Sequence, residues 1–346
     1  MGRLQHSVAH HLKGFTVAPE DIVSIGGHRA PPTCLALADD GAFAYTGGKD
    51  CTVVQYDVAQ EKQSWKIKGN SHKKSEKDIC SDHVLAVAVS SDGNLLASAG
   101  KDKTLRVYDT RSRALLSTFK GHAGIITSLA FRKNSHTLYS GSTDRVVKSW
   151  NLDDMCYIES LYGHQDSVLA VDALNKENLI SCGSDKSVRL WRINTETQLV
   201  FEGLKSSADC VKMLNEDTFF SGGDDGAVCL WNVNKRKPVA RIWDVHGQGN
   251  WINAVGAMAG TDVVATGSWN GVVKVWKATY NRQSSGTISY LTEFAIPGHV
   301  NAIALHRTAN IMVCAVGQEH RMGRWNPIGG VQNGLRILRL PALHDK

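Results

Sequence analysis

The sequence predicts an all-β chain folded as a single seven-bladed β-propeller. Seven short strings that each end in an aromatic residue recur along its 346 residues, with the aromatics at positions 56, 108, 150, 191, 231, 276 and 325. Most of the intervals between them match the ~40–45-residue period of a four-stranded propeller blade. A count of 32 glycines against 7 prolines suits many short strands joined by tight turns.

Two further elements recur in a fixed order, and they identify the repeat as the WD-repeat type. A Gly-His pair or an equivalent lies upstream of six of the closing strings, and the fifth unit lacks the histidine. The histidines are His28, His83, His122, His164, His246 and His299. A turn with an acidic or amide residue precedes every closing string. These turn residues are Asp50, Asp102, Asp144, Asp185, Asp225, Asn270 and Glu319.

The third unit serves as a template for the four strands of a blade. Residues 125–131, 138–142, 146–150 and 157–162 alternate apolar and small side chains, and we expect them to run in that order from the central channel to the outer rim.

The ring needs a closing strand. Residues 22–25 or residues 335–340 could supply it, and we favour the N-terminal segment. The expected division is a tail at 1–20, the propeller at 21–341 and a tail at 342–346.

Composition limits the classes of function. The formal net charge of +6 permits contact with nucleic acid but does not demonstrate it. Eight cysteines without a CxxC pair favour buried reduced thiols over a zinc or disulfide framework. No apolar run is long enough for a membrane span, and residues 1–11 lack the apolar segment of a signal peptide.

Histidine, serine or threonine, aspartate and tryptophan recur from blade to blade. The third and fourth units carry complete sets, which are His122, Ser140, Asp144 and Trp150, and His164, Ser181, Asp185 and Trp191. One such set would suggest a hydrolase, but a set that recurs must serve every blade. We expect a buried hydrogen-bond chain in which the indole N–H donates outward. Catalytic residues, metal ligands and cofactors are not expected.

Basic residues occupy turns between second and third strands, on the face here called the top. They are Lys49, Lys101, Lys103, Arg145 and Lys186, and the loop entering blade two adds Lys73, Lys74 and Lys77. These side chains suit contact with phosphates. Lysine and arginine are also the commonest inert surface residues, so charge alone leaves both interpretations open.

Blade six has two tryptophans that core packing does not require. Trp251 opens its first strand and Trp269 lies in its top turn. Exposed indoles there would stack a base or anchor a protein partner. The alternative is that the two rings cover each other and a long loop.

The seventh unit departs most from the others. Glu319 replaces the usual aspartate. When the seven closing strings are aligned with one another, residues 322–326 fall on the third strand of the blade, and Arg321 and Arg324 take positions that other blades give to packed strand residues. A buried arginine is costly unless it is paired. The segment therefore either holds an ion pair, such as Glu319 with Arg321, or presents its guanidinium groups to a ligand.

Several strings resemble those of the U3 small nucleolar RNP-associated WD-repeat family. They are GQEHRMGRW at 317–325, YGHQDSVLAVDAL at 162–174, QLVF at 198–201, SGGDDGAVCLWNVNKRKPVA at 221–240 and TDVVATGS at 261–268. The resemblance covers roughly residues 20–341. The family usually carries a long charged N-terminal arm with import signals, whereas this chain has about 20 residues before its first strand.

The resemblance implies a non-catalytic subunit of the nucleolus and nucleus. Such a subunit binds the box B/C region of the U3 snoRNA together with a kink-turn RNA-binding protein. It also works with other proteins of the small-subunit processome in pre-rRNA processing. The matched positions expected to bind RNA or protein are Trp251, Gln318, Glu319, His320, Arg321 and Arg324. The alternative is a protein-only scaffold or adaptor, a role to which WD propellers are equally suited.

Overall fold

The computed structural model describes residues 7–69, 80–281 and 285–343. Seven antiparallel four-stranded sheets follow one another along the chain, which confirms the seven-bladed propeller. The first strands contact one another in sequence, and that of blade seven contacts that of blade one, so the ring is closed.

Strand bounds are given from the channel to the rim. Blades one to three comprise Pro32–Leu37, Phe43–Gly48, Val53–Asp57 and Lys62–Ile67; Val84–Val89, Leu95–Gly100, Thr104–Asp109 and Leu115–Lys120; and Ile126–Phe131, Thr137–Ser142, Val146–Asn151 and Cys156–Tyr162. Blades four to six comprise Val168–Ala173, Asn178–Gly183, Val188–Arg192 and Thr197–Phe201; Ala208–Asn215, Thr218–Gly223, Val228–Asn232 and Lys235–Ile242; and Ala254–Ala257, Val263–Gly267, Val272–Thr279 and Thr287–Ala295. Blade seven comprises His299–His306, Ile311–Gly317, Gly334–Arg339 and Val23–Gly26, and short 3-10 helices lie at Ala9–Leu12, Pro19–Asp21 and Ile193–Thr195.

The N-terminal strand closes the ring, as we favoured from the sequence. Val23–Gly26 is the outer strand of blade seven and pairs antiparallel with Gly334–Arg339. The other candidate segment, 335–340, is therefore not an outer strand. It lies in the third strand of the same blade, so the two chain ends pair with each other.

Apolar side chains fill the space between neighbouring blades. Seven hydrophobic clusters are present, one at each junction between two blades. Between blades three and four, for example, Tyr139 and Leu179 are both buried. Each blade therefore packs on two faces, which is why its inner strands are nearly continuous in apolar and small residues.

The polar set of blade three forms one directed chain of hydrogen bonds. Trp150 Nε1 donates to Ser140 Oγ over 2.9 Å, and His122 lies 2.8 Å from both Ser140 Oγ and Asp144 Oδ2. Because a carboxylate only accepts, His122 Nδ1 donates to Asp144, and Nε2 of the same ring bonds the Ser140 hydroxyl. The expectation that the indole donates outward is wrong, because the buried serine oxygen lies within its reach.

Blade four repeats this chain with His164, Ser181, Asp185 and Trp191 at distances of 2.7–2.8 Å. Burial alone would raise the pKa of Asp144 and of Asp185. Hydrogen bonds from the histidines and from backbone amides outweigh burial and hold both pKa values well below the ordinary range.

The other blades keep only parts of the chain. In blade five Trp231 Nε1 donates to Ser221 Oγ over 2.9 Å with no histidine behind it. In blade six both His246 and Trp276 bond Thr266 at 2.9 Å. Because the polar set is complete in some blades and partial in others, it favours a structural role within the blades over a role in catalysis.

A segment before the first strand also packs on the propeller. Val8, Ala9 and Leu12 are buried against blades six and seven. Asp262, itself buried, accepts the Val8 and Ala9 amides at 2.9 and 3.2 Å and the Ser7 hydroxyl at 2.8 Å. These residues belong to the segment for which the sequence suggested a tail.

The eight cysteines are free thiols, and all but Cys156 are buried. Within the described ranges, no helix has the length and apolar character needed to cross a membrane, and no group of three potential ligands could hold a metal ion.

Candidate functional site

The top face is dominated by a long loop of blade seven. This cap loop, residues 318–333, joins the second and third strands of the blade, whereas the same turn in blade three spans residues 143–145. The alignment placed a strand at 322–326, and that prediction is wrong. Pro327 and the Gly329–Gly330 pair interrupt extended pairing, and Gly334–Arg339 supplies the third strand instead.

Arg321 and Arg324 therefore lie in the cap loop and not at packed strand positions. Of the two arginines in the third strand, Arg336 is buried and donates to the carbonyl oxygens of Leu335 and Gln332 at 3.1 and 2.9 Å.

Gln318 ties the two ends of the cap loop together. Its backbone N–H donates to Asn333 Oδ1 over 3.0 Å, and its side-chain Nε2 donates to the Val331 carbonyl over 2.8 Å. The Ile328 amide donates to the Gln318 carbonyl over 2.8 Å. Both the backbone and the side chain of Gln318 are therefore used in hydrogen bonds within the cap loop.

Glu319 pairs with Lys49 of blade one and not with Arg321. Lys49 Nζ lies 3.0 Å from Glu319 Oε2 and donates to the Gly323 carbonyl over 2.7 Å. The Lys49 side chain is only 7% exposed, so its charge is used inside the protein. The pair fixes the cap loop to the neighbouring blade.

Arg321 crosses the top of the central channel. Its Nη2 donates to the Leu169 carbonyl of blade four over 3.3 Å. A β-bulge frees that carbonyl from the regular ladder between the first two strands. Burial raises the pKa of Cys34 to about 11 and of Cys210 to about 12, and the charge of Arg321 opposes both rises. Below this arginine, the first strands of all seven blades line a cavity of about 460 Å³.

An aromatic row runs from blade six onto the cap loop. Ring centres are 6.3 Å apart for Trp251 and Trp269, 6.0 Å for Trp251 and His320, and 5.4 Å for His320 and Trp325. Trp251 and Trp269 are half-buried. The two rings lie beside each other, and Trp251 also contacts His320 of the cap loop, as in the second of the two arrangements that the sequence left open.

His320 is a neutral ring within this row. Burial, together with the adjacent charge of Arg321, lowers its pKa to about 3. Its Nδ1 accepts the Met322 amide over 3.2 Å, which places the ring proton on Nε2. The row is therefore uncharged at neutral pH.

Trp325 is a surface residue that the sequence interpretation missed. It was aligned as the closing aromatic of a blade, yet its side chain is 54% exposed. The absence of a side chain on Gly323 leaves room for its ring, since a Cβ there would lie 2.7 Å from the indole. Pro327 and the Gly329–Gly330 pair, which follow Trp325 and disfavour a strand there, were the signal in the sequence that could have identified it as a loop residue.

Exposed cations occupy the top turns of blades two to four. Lys103, Arg145 and Lys186 have φ values of 60°, 71° and 61°, at positions where blades five and six carry Gly226 and Gly271. A left-handed conformation costs a residue with a Cβ on the order of 1–2 kcal/mol. Charged residues are therefore present where glycine would fit better.

The predicted basic residues do not all come together. Lys101 and Arg324 lie close to His83. Burial lowers the pKa of that histidine, and both cations lower it further. Lys103 is turned towards blade three and donates to the Ala123 carbonyl over 2.7 Å. Lys73 and Lys74 lie outside the described residues.

Comparison with known proteins agrees with this architecture. The family model "WD domain, G-beta repeat" matches residues 20–57, 74–109, 113–151, 155–192 and 237–277. A solved structure of U3-55K superposes with a TM-score of 0.88 at 36% identity, covering 93% of this chain and 99% of the other. A crystal structure of RRP9 WD40 repeats gives 0.89 at 37% identity, covering 94% and 99%.

Full-length relatives point to the same family. U3 small nucleolar RNA-interacting protein 2 of Mus musculus is 38% identical over 99% of this chain and 73% of its own length. U3 snoRNP-associated protein-like EMB2271 of Arabidopsis thaliana is 33% identical over 90% of this chain and 69% of its own. Ribosomal RNA-processing protein 9 of Saccharomyces cerevisiae is 28% identical over 85% and 66%. The chain belongs to the family of U3 snoRNP-associated WD-repeat proteins.

Proposed function

We propose that this chain is a non-catalytic subunit of the U3 snoRNP, and that its top face binds the box B/C region of the U3 snoRNA together with a kink-turn RNA-binding protein. In this role it supports small-subunit pre-rRNA processing in the nucleolus. The names of the mouse and yeast relatives, one a U3 snoRNA-interacting protein and one an rRNA-processing protein, support the assignment. The observation that carries it is the convergence of unpaired cations and aromatic rings on one face.

The cations supply affinity for the RNA backbone. Lys103, Arg145, Lys186 and Arg324 are exposed, and no carboxylate within the described ranges forms an ion pair with any of them. Three of the four are held in a costly backbone conformation. Each phosphate that such a cation neutralises releases a counterion, so binding will weaken steeply with salt.

The aromatic row supplies selectivity. Trp325 offers a ring face for stacking, and the neutral His320 behind it adds no charge that a phosphate would prefer. RNA-binding proteins select unpaired bases by such stacking. The same uncharged surface also favours the second candidate, a protein-only scaffold, because accessible tryptophans commonly anchor protein partners.

A binding experiment separates the two candidates. The purified chain and its kink-turn partner are titrated with a U3 fragment containing box B/C and with an unrelated hairpin, at several salt concentrations. We expect preference for the U3 fragment and a log-linear loss of affinity with salt. Arg324→Ala and Arg145→Gly will each weaken binding several-fold and reduce the salt slope by about 1.

Arg113→Gly is the matched control, because Arg113 is an exposed arginine with a φ of 63° in a turn on the opposite, bottom face. It will bind like the unmodified chain. Equal affinity for both RNAs would rule out the RNP assignment and leave the scaffold.

A further inference from the structure

A second cluster of cations and an aromatic ring lies on the top face between blades four and five. Trp243 follows the outer strand of blade five, and its side chain is 41% exposed. Lys205 Nζ lies 4.5 Å from the centre of the Trp243 ring, and Arg241 Cζ lies 4.9 Å from it. Lys205 belongs to the loop that enters blade five. This loop and the end of the outer strand that precedes Trp243 both lie on the top face.

Neither cation is neutralised. No carboxylate in the described part of the chain forms an ion pair with Lys205 or Arg241. Arg241 is oriented by donating to the Gly203 carbonyl and, over 3.2 Å, to the Cys229 sulfur. Burial raises the pKa of Cys229 to about 11, so that sulfur is a neutral thiol and not a counter-ion. Two positive charges therefore lie beside one exposed indole.

The side chains of Arg241 and Lys205 differ in how firmly they are held. Arg241 is fixed by its two hydrogen bonds, whereas Lys205 is exposed and its ammonium contacts the ring. A cation–π contact at an exposed site is worth only about 0.5–1 kcal/mol. A phosphate would draw the ammonium off the ring without breaking a stronger interaction, and the ring face would then be open to a base.

The cluster continues a series of charges of one sign. Lys103, Arg145 and Lys186 mark the top turns of blades two, three and four, and Lys205 follows at the next junction. The series of cations ends there, because the top turn of blade five carries Asp224 and Gly226 where that of blade four carries Ser184 and Lys186. A series of cations at successive blades suits a polymer with regularly spaced phosphates, and the indole at its end suits an unpaired base.

We infer that Trp243, Lys205 and Arg241 form a nucleotide-binding subsite for single-stranded RNA, with the phosphate between the two cations and the base against the indole. This inference rests on the proposed function, since it takes the U3 snoRNA as the polymer. It assigns one end of the RNA path to the junction of blades four and five, away from the cap loop.

The test measures affinity for a fluorescein-labelled U3 fragment containing box B/C and its unpaired flanks, between about 50 and 200 mM salt. Lys205→Ala is expected to weaken binding several-fold and to lower the slope of log affinity against log salt by about 1. Trp243→Leu is expected to weaken binding roughly 5-fold or more with an unchanged slope, because stacking and not charge is lost.

A matched control lies at the other end of the same strand. Lys235 Nζ is 5.7 Å from the centre of the Tyr280 ring on the bottom face, so Lys235→Ala removes the same kind of contact away from the proposed path. It will bind like the unmodified chain. Unfolding midpoints of all three variants show whether each is folded. Ultraviolet crosslinking of the unmodified complex adds a test without substitution, with a nucleotide adduct expected on the peptide that contains Trp243.

The outcomes separate the two levels of inference. If the unmodified chain binds the U3 fragment but both variants match it and no adduct forms at Trp243, the subsite is wrong and the proposed function stands. If Trp243→Leu impairs capture of a protein partner and leaves RNA affinity unchanged, the site belongs to that protein and the RNA subsite is overturned. If the unmodified chain shows no preference for the U3 fragment, both fail together.

Discussion

Removing the serine at the centre of a blade's polar chain should cost different amounts in different blades. Ser140 in blade three accepts from Trp150 Nε1 and bonds His122 Nε2, whereas Ser221 in blade five accepts from Trp231 Nε1 alone. Both serines are almost fully buried. Ser140→Ala therefore leaves two buried polar atoms without a partner, and Ser221→Ala leaves one.

Each buried group left without its hydrogen-bond partner costs about 1–3 kcal/mol. We therefore expect Ser140→Ala to lower the free energy of unfolding by about 2–6 kcal/mol and Ser221→Ala by about 1–3 kcal/mol. Equilibrium urea denaturation measures both, provided that the slope with urea is unchanged between variants. Ser181→Ala in blade four should reproduce the larger loss, because Ser181 also bonds both a histidine and a tryptophan.

The reasoning would be refuted if Ser221→Ala cost as much as the other two, or more. That result would mean that the histidine contributes nothing through the serine, and the polar chain would not be a scaffold element.

Three further predictions concern the cap loop, the pH and the N-terminal segment. Lys49→Met should free the cap loop, because Glu319 loses its partner, and faster amide exchange at residues 318–326 measures this. Burial of His320 lowers its pKa to about 3, below its unfolded value near 6.5. The contribution of this neutral ring to the free energy of unfolding is therefore fully present above about pH 6.5 and is lost as the pH falls towards 3. His320→Gln should reduce that slope in urea midpoints taken across this range, and an unchanged slope would contradict the pKa. Asp262→Ala should release residues 7–12, seen as early proteolytic cleavage there while the ring stays folded.

The blades that keep the repeat could be predicted closely. For blade three the expected strands differ from the observed ones by one residue at four of their eight ends and agree at the other four. The reason is local, since alternation, turn residues and the polar set all lie within some 40 residues and agree with one another.

Blade seven could not be predicted in the same way. The aromatic at position 325 fitted the spacing of the repeat, so the alignment placed the third strand there. The apolar residues of Gly334–Arg339 were the better physical signal, because Leu335, Ile337 and Leu338 can pack against the neighbouring blades. Pro327 and the glycines that precede this strand then indicate a loop.

The contacts of the site depend on ring closure. Glu319 and Lys49 are 270 positions apart, and Arg321 and Leu169 are 152 apart. Charge alone suggested a partner for Glu319 nearby in the sequence. Only the closed ring brings blade one beside blade seven and blade four across the channel.

The pairing of Val23–Gly26 with Gly334–Arg339 has a consequence for biosynthesis. Val23–Gly26 can find its partner only after the ribosome has made Gly334–Arg339, the last strand that the structure describes. Until then blade seven is incomplete, and the neighbouring blades present apolar faces that are not covered. Because such faces promote aggregation, the nascent protein needs protection. Translation that stops before residue 334 would therefore leave an open arc of blades with an unpaired strand edge, which can pair with another chain.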